Sequence, residues 1–182
     1  GSESHIFWNE VGGASALGGV IVRTVPNDAS GRVRAKDVES AIRTKNIHYP
    51  VTTLVGLENT HNRCNGAVLT AQETREIADV AHRHGIPVHL DGARIFNASV
   101  KLGVPTAQLA GPADSVCFCF SKGLSAPIGS VLCGSKDFIE RSRAYRRMVG
   151  GNMRQAGPLA AAGIVALETM VDRLAEDHAN AK

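Results

Sequence analysis

Short apolar runs alternate with helix-period stretches along this chain, and that alternation narrows the fold more than any other feature. The segments "GVIVRTV" (19–25), "VTTLVGLE" (51–58), "IPVHL" (86–90), "DSVCFCFS" (114–121) and "IGSVLCG" (128–134) are β-branched or apolar and read as strands. Between them, "AKDVESAIRTK" (35–45) puts Val38, Ala41 and Ile42 at helical spacing. Thr70-Ala71-Gln72-Glu73 is a capping box, in which the Thr hydroxyl and the Glu carboxylate satisfy each other's backbone donors. It opens a helix to about His84, which Gly85 ends, with Pro87 close behind. A short helix is expected over 105–110, another from Ser135 or Asp137 to about Met148, and a long amphipathic one after Gly157-Pro158. Strands apolar on both faces, separated by helices, predict an α/β fold with a mostly parallel sheet sandwiched by helices. In open sheets of this kind ligands bind beyond the carboxyl ends of the strands. Glu58, Asp91 and Ser121-Lys122 should therefore share one rim.

Composition excludes several function classes. The net charge of +3 over 182 residues is mild, and no basic stripe is interleaved with aromatics, so no nucleic-acid partner is expected. The densest basic cluster, "RSRAYRRM" (141–148), reads as a solvated or interface-lining helix face. The apolar runs are too short to cross a bilayer, so no membrane role is expected. Four cysteines, Cys64, Cys117, Cys119 and Cys133, form no C-x-x-C pair, which points to a reducing, cytoplasmic compartment with no disulfide framework. Cys117 and Cys119 alternate in a strand and read as core. His82, His84 and His89 lie on different faces and lack a Cys or carboxylate partner, so no metal is expected. The chain opens "GSESHIFWNE", without Met, and is read as a fragment or processed product, the leading Gly-Ser being equally a cloning scar.

Asp91 and Lys122 each follow an apolar strand. A lysine at a strand end is placed for partial desolvation, which frees its amine to form a Schiff base. An aspartate on the same rim can keep a pyridinium nitrogen protonated. Pyridoxal phosphate asks both of its protein, and the protonated ring then serves as an electron sink. From spacing alone, the pair reads equally as a surface ion pair or a helix cap.

The segments "LENTHNRCNGAVL", "HLDGARIFNASV", "CFSKGLSAPIGSVLCG" and "MVGGNMRQAG", in this order and with "ESHIFWNEVGG" before them, closely resemble the low-specificity threonine aldolases. "HLDGARIFN" alone is shared in weaker form with the related β-eliminating lyases. The resemblance covers essentially all 182 residues. It implies the fold type I (aspartate-aminotransferase-like) architecture, with residues 1–182 forming most of the large cofactor domain. An N-terminal segment with a Gly/Thr-rich phosphate cradle, and a C-terminal small domain bringing another carboxylate-binding arginine, are absent from this stretch. The resemblance further implies that Lys122 bonds the cofactor and that Asp91 pairs with the pyridinium nitrogen. Arg94 grips the substrate carboxylate near the cofactor, a task suited to a planar guanidinium. His5 stacks on the cofactor ring, His48 lies near the substrate β-hydroxyl, and Ser121 helps hold the phosphate. Arg154 lies near the phosphate or at a subunit contact. Without the family pattern, His5 and His48 read as surface histidines. His61 receives no catalytic role, and Glu58 reads either as a supporting acid or as a strand-end charge.

The activity implied is cleavage of threonine or allo-threonine, a small-molecule amino-acid substrate, to glycine and acetaldehyde. The β-hydroxyl proton would go to His48, His5 or a water they hold. A homo-oligomer, dimer or tetramer, with sites at the interface is implied too. Two rivals stay open: another pyridoxal-phosphate reaction on this fold, such as β-elimination or transamination, and a non-catalytic scaffold.

Overall fold

Thr70 and Glu73 begin a helix by chemistry legible in the sequence, and its face builds the core. In the computed structural model, which describes residues 1–182, the Thr70 hydroxyl accepts the Glu73 amide and the Glu73 carboxylate accepts the Thr70 amide. The element order is α1 (His5–Trp8), α2 (Gly13–Gly18), α3 (Ala35–Ala41), β1 (Val55–Glu58), α4 (Ala71–Arg83), β2 (Val88–Asp91), α5 (Ile95–Leu102) and α6 (Thr106–Ala110). There follow β3 (Ser115–Cys119), β4 (Ser130–Gly134), α7 (Lys136–Met148), α8 (Gly157–Thr169) and α9 (Leu174–Asn180). The box launches α4, whose Ile77, Ala78, Val80 and Ala81 are buried together. At its far end the Ile86 amide reaches the Ala81 carbonyl and the Gly85 amide the His82 carbonyl, with Gly85 at φ +68°. This Schellman closure turns the chain straight into β2. Thr70→Ala removes the cap and is expected to cost about 1 kcal/mol, read as a lower urea midpoint at unchanged slope.

The sheet runs β1-β2-β3-β4, with β1, β2 and β3 parallel and β4 antiparallel to β3. The helical connections α4 and α5–α6 allow the parallel pairings. Side chains alternate along each strand. Leu57, Val88 and Leu90 join Ile77, Ala81, Ile95, Ala98 and Leu109 in the main core. The opposite positions carry Glu58, His89, Asp91, Ser115 and Cys117, and there the sheet is polar. A second cluster, Leu124, Ala166 and Leu174, ties the segment after β3 to α8 and α9. The rings of Phe96, Phe118 and Phe120 stack edge to face at 5.2 and 5.3 Å and link the two clusters.

Three expectations need correction. Residues 19–25 form no strand. They lie across an apolar cavity of about 480 Å³ from the β1 edge, lined by Val20–Val25 on one side and Leu54–Leu57 on the other. β-branched composition favours a strand only where a neighbour lies within hydrogen-bonding distance. For the same reason the run 51–58 pairs only from Val55. Second, α8 is not amphipathic: it buries Gly163 and Ala166 but exposes Ile164, Val165 and Leu167. Third, α5 was not expected, because no side chain caps its start and Arg94 occupies the cap position.

Candidate functional site

The rim is assembled by register. Glu58 is the partner of Asp91, and Asp91 of Cys117, so two carboxylates and a thiol stand in a row where the parallel strands end. Asp91 is half-buried. Its Oδ1 accepts the Ala93 amide at 3.2 Å and the Cys117 thiol at 3.8 Å. Both contacts use the same oxygen, which leaves Oδ2 for an external N–H. Burial, then the neighbouring Asp91 charge, pushes the Cys117 thiol up to about 11, so it stays protonated and donates. Cys117 thus lies at the rim as well as in the sheet.

The turn after Asp91 is fixed by contact. The Gly92 amide donates to the Cys117 carbonyl at 2.8 Å, and a Cβ at Gly92 would stand 2.8 Å from that oxygen. Arg94 follows, half-buried, with Nη1 3.5 Å from the Asn62 Oδ1.

Lys122 lies in the loop between β3 and β4. The Phe120 and Ser121 amides both donate to the Gly129 carbonyl, and the Ser125 amide to the Lys122 carbonyl. A Cβ at Gly123 would stand 2.8 Å from the Asn97 Oδ1 and 2.9 Å from the Leu174 Cδ2, and Leu124 is buried in the second cluster. Asn97 in turn contacts the His178 ring at 3.2 Å. The lysine therefore rises from a turn clamped by α5 and α9. It is half-exposed and forms none of the chain's ion pairs. Ser121 beside it is exposed.

On the other side of Asp91, α1 is held over the strand ends. The His5 amide donates to the Glu58 Oε2 at 2.7 Å, and the His5 Nδ1 lies 2.8 Å from the Glu10 Oε1. A free Oδ2 on Asp91 and an unpaired lysine are what pyridoxal phosphate needs of its protein, and the rim fits that group. Two expected residues stand apart. His48 is exposed between α3 and β1, its amide on the Asn46 Oδ1 and its ring in no hydrogen bond to the rim. Arg154 is exposed in a separate polar hollow of about 250 Å³ with Arg147, Gly150 and Asn152.

Two contacts make the sheet sensitive to pH. Burial lowers the pKa of His89 below the ordinary imidazole value, against the opposing pull of Asp91; its Nδ1 lies 2.8 Å from the Ser115 Oγ. The folded state then binds this proton less readily than the unfolded chain. His89 stabilises the fold above about pH 6.5, the unfolded value, and that contribution is lost as pH falls below it. Burial raises the Asp114 carboxyl, but the Val88 amide and the His82 ring outweigh that and leave it low. Its contribution is present above about pH 3.8 and disappears below, a separate window. Melting temperature is expected to fall from pH 7 to 5, and His89→Gln to flatten that slope.

Three features escaped the sequence: the acceptor side of Asp91 set by Cys117, the clamp on Gly123, and the contacts of Glu58. Each depends on partners distant along the chain.

The fold and the rim together define an α/β domain of the fold type I, aspartate-aminotransferase-like class. A threonine aldolase from Leishmania major superposes with a TM-score of 0.78 at 22% identity, over 94% of this chain and 50% of that one. The chain belongs to the beta-eliminating lyase family, whose profile matches residues 1–182. It is 46% identical over 184 residues to low-specificity L-threonine aldolase 1 of Arabidopsis thaliana, covering 100% of this chain and 51% of that protein. It is 42% identical over 181 residues to the low specificity L-threonine aldolase of Escherichia coli K12, covering 100% of this chain and 54% of that protein. The chain thus spans about half the length of the curated relatives it matches. No helix is long and apolar enough to cross a membrane.

Proposed function

We propose that the protein is a carbon–carbon lyase that uses pyridoxal 5'-phosphate to cleave threonine-type β-hydroxy-α-amino acids to glycine and an aldehyde. Residues 1–182 make up most of its large cofactor domain. The observation that carries the reading is the rim itself: Asp91 with a free Oδ2, Arg94 and an unpaired Lys122 around the strand ends, under the anchored His5. A chain-long identity of 46% to a low-specificity threonine aldolase supports it.

When bound, the cofactor supplies a sink for the electron pair released as Cα–Cβ breaks. Lys122 would hold it through Nζ, and Asp91 would accept the ring N–H at Oδ2, the oxygen its own contacts leave free. His5, its Nδ1 tied to Glu10, would pack against the ring. Ser121 and Arg154 serve the phosphate, Arg154 from this subunit or across a contact. Arg94 would grip the substrate carboxylate and so fix the orientation of the substrate Cα. His48, His5 or a water they hold would take the β-hydroxyl proton. His48→Phe is expected to slow cleavage at unchanged cofactor affinity if His48 is that base, and His5→Phe to reduce both. We also propose a cytoplasmic homo-oligomer with sites at subunit interfaces.

Incubation with pyridoxal phosphate and threonine, followed by aldehyde and glycine assays, tests the reading. Glycine and acetaldehyde in equal amounts support it. A keto acid in their place assigns the rim to elimination or transamination.

A further inference from the structure

We propose that Glu58 is a positioning residue, and that its carboxylate sets His5 and Arg94 in their places on the rim. The inference rests on the functional reading above, in which His5 faces the cofactor and Arg94 the substrate carboxylate.

Glu58 is the one carboxylate among the buried residues, at 6% exposure. A carboxylate taken out of water must be compensated by hydrogen bonds or charge. Here the compensation comes from two directions. Oε2 accepts the His5 amide at 2.7 Å, and Oε1 accepts the Asn62 amide at 2.7 Å. Each oxygen thus fixes a different segment. Through His5 it caps α1 from outside, where the helix has no side-chain cap of its own. Through Asn62 it fixes the loop whose Oδ1 faces the Arg94 Nη1. His61, the one buried histidine, brings Nε2 to 4.0 Å from Oε2. Neither ring nitrogen of His61 has a hydrogen-bond partner in the chain. Beneath them the Asn59 amide donates to the Asp91 carbonyl at 2.8 Å, so the hub is attached to the strand that bears the cofactor acid. A leucine at position 58 would fill the space, but it would leave two part-buried amides without this partner and neither segment held.

Glu58→Gln keeps the shape but offers one acceptor oxygen where there were two. Hydrogen exchange on the chain without cofactor reads the placement directly. With one oxygen replaced by an NH2 group and the other reduced to a neutral amide oxygen, both the His5 and Asn62 amides are expected to exchange faster, the one that faces the NH2 about tenfold, with Asn59, bonded to Asp91, unchanged as the internal control. With pyridoxal phosphate and threonine, cofactor affinity and threonine KM are each expected to weaken about tenfold. Asn62→Ala, an exposed substitution that spares the fold, cuts only the Arg94 arm. It is expected to raise KM about threefold at unchanged cofactor affinity. That split is one a merely structural role would not produce. Unchanged His5 and Asn62 exchange in Glu58→Gln, or faster exchange at all three amides alike, overturns the proposal, as do equal affinities in Glu58→Gln and the parent. A parent chain that takes up no cofactor overturns the functional reading instead, and the exchange arm still decides the placement.

Discussion

Lys122→Ala is expected to abolish threonine cleavage, by more than about 10³-fold, and with it any covalent attachment of pyridoxal phosphate. The argument is geometric. Lys122 stands on a turn whose flanks are fixed by the Gly129 carbonyl, by Gly123 against Asn97 and by buried Leu124. Lys101 lies in the last turn of α5 and Lys136 in the first of α7, so neither substitutes for it. The side chain is half-exposed and forms no ion pair, so its loss should move stability by no more than about 0.5 kcal/mol. Aldehyde release and a thermal melt on the same preparation separate the two effects. Full activity in Lys122→Ala would move the nucleophile elsewhere.

Gly92→Ala is expected to carry the largest structural effect at the rim, a loss of about 3 kcal/mol together with much weaker cofactor binding. The added Cβ would stand 2.8 Å from the Cys117 carbonyl oxygen, 3.0 Å from the Val116 Cγ2 and 3.1 Å from the Ile95 Cβ. The first of these is backbone in the middle of β3, which cannot turn aside as a side-chain tip can. Relief requires β2 and β3 to part at their ends, which lengthens the Gly92–Cys117 hydrogen bond and swings Asp91 away from its neighbours. Denaturant melts measure the first effect, and cofactor titration the second. A parent-like midpoint with parent-like affinity would mean that the turn is looser than its contacts imply.

Residues whose structure is decided locally were legible before any coordinates. The capping box at Thr70 and Glu73, the stop at Gly85, and the strand ends bearing Asp91 and Lys122 follow from spacing and backbone chemistry within a few positions. What depends on distant partners was not. The apolar run 19–25 looks like a strand in isolation, yet a cavity separates it from the β1 edge, and its one backbone bond to another segment, the Ser2 amide on the Val25 carbonyl, builds no ladder. α5 gave no start signal, and it forms because Ile95 and Ala98 are buried in the core. Glu58 read either as a strand-end charge or as a supporting acid, since the choice rests on an amide 53 positions earlier. The roles proposed for Arg154 and His48 rest on family resemblance alone, and both residues are exposed in this chain.

The central claim is that the rim holds pyridoxal phosphate through Lys122. Borohydride reduction of the cofactor-treated chain, followed by peptide mapping, tests it most directly. A pyridoxyl group on Lys122, and on no other lysine, is the predicted result. An unmodified Lys122 in a chain that takes the label elsewhere would contradict the account.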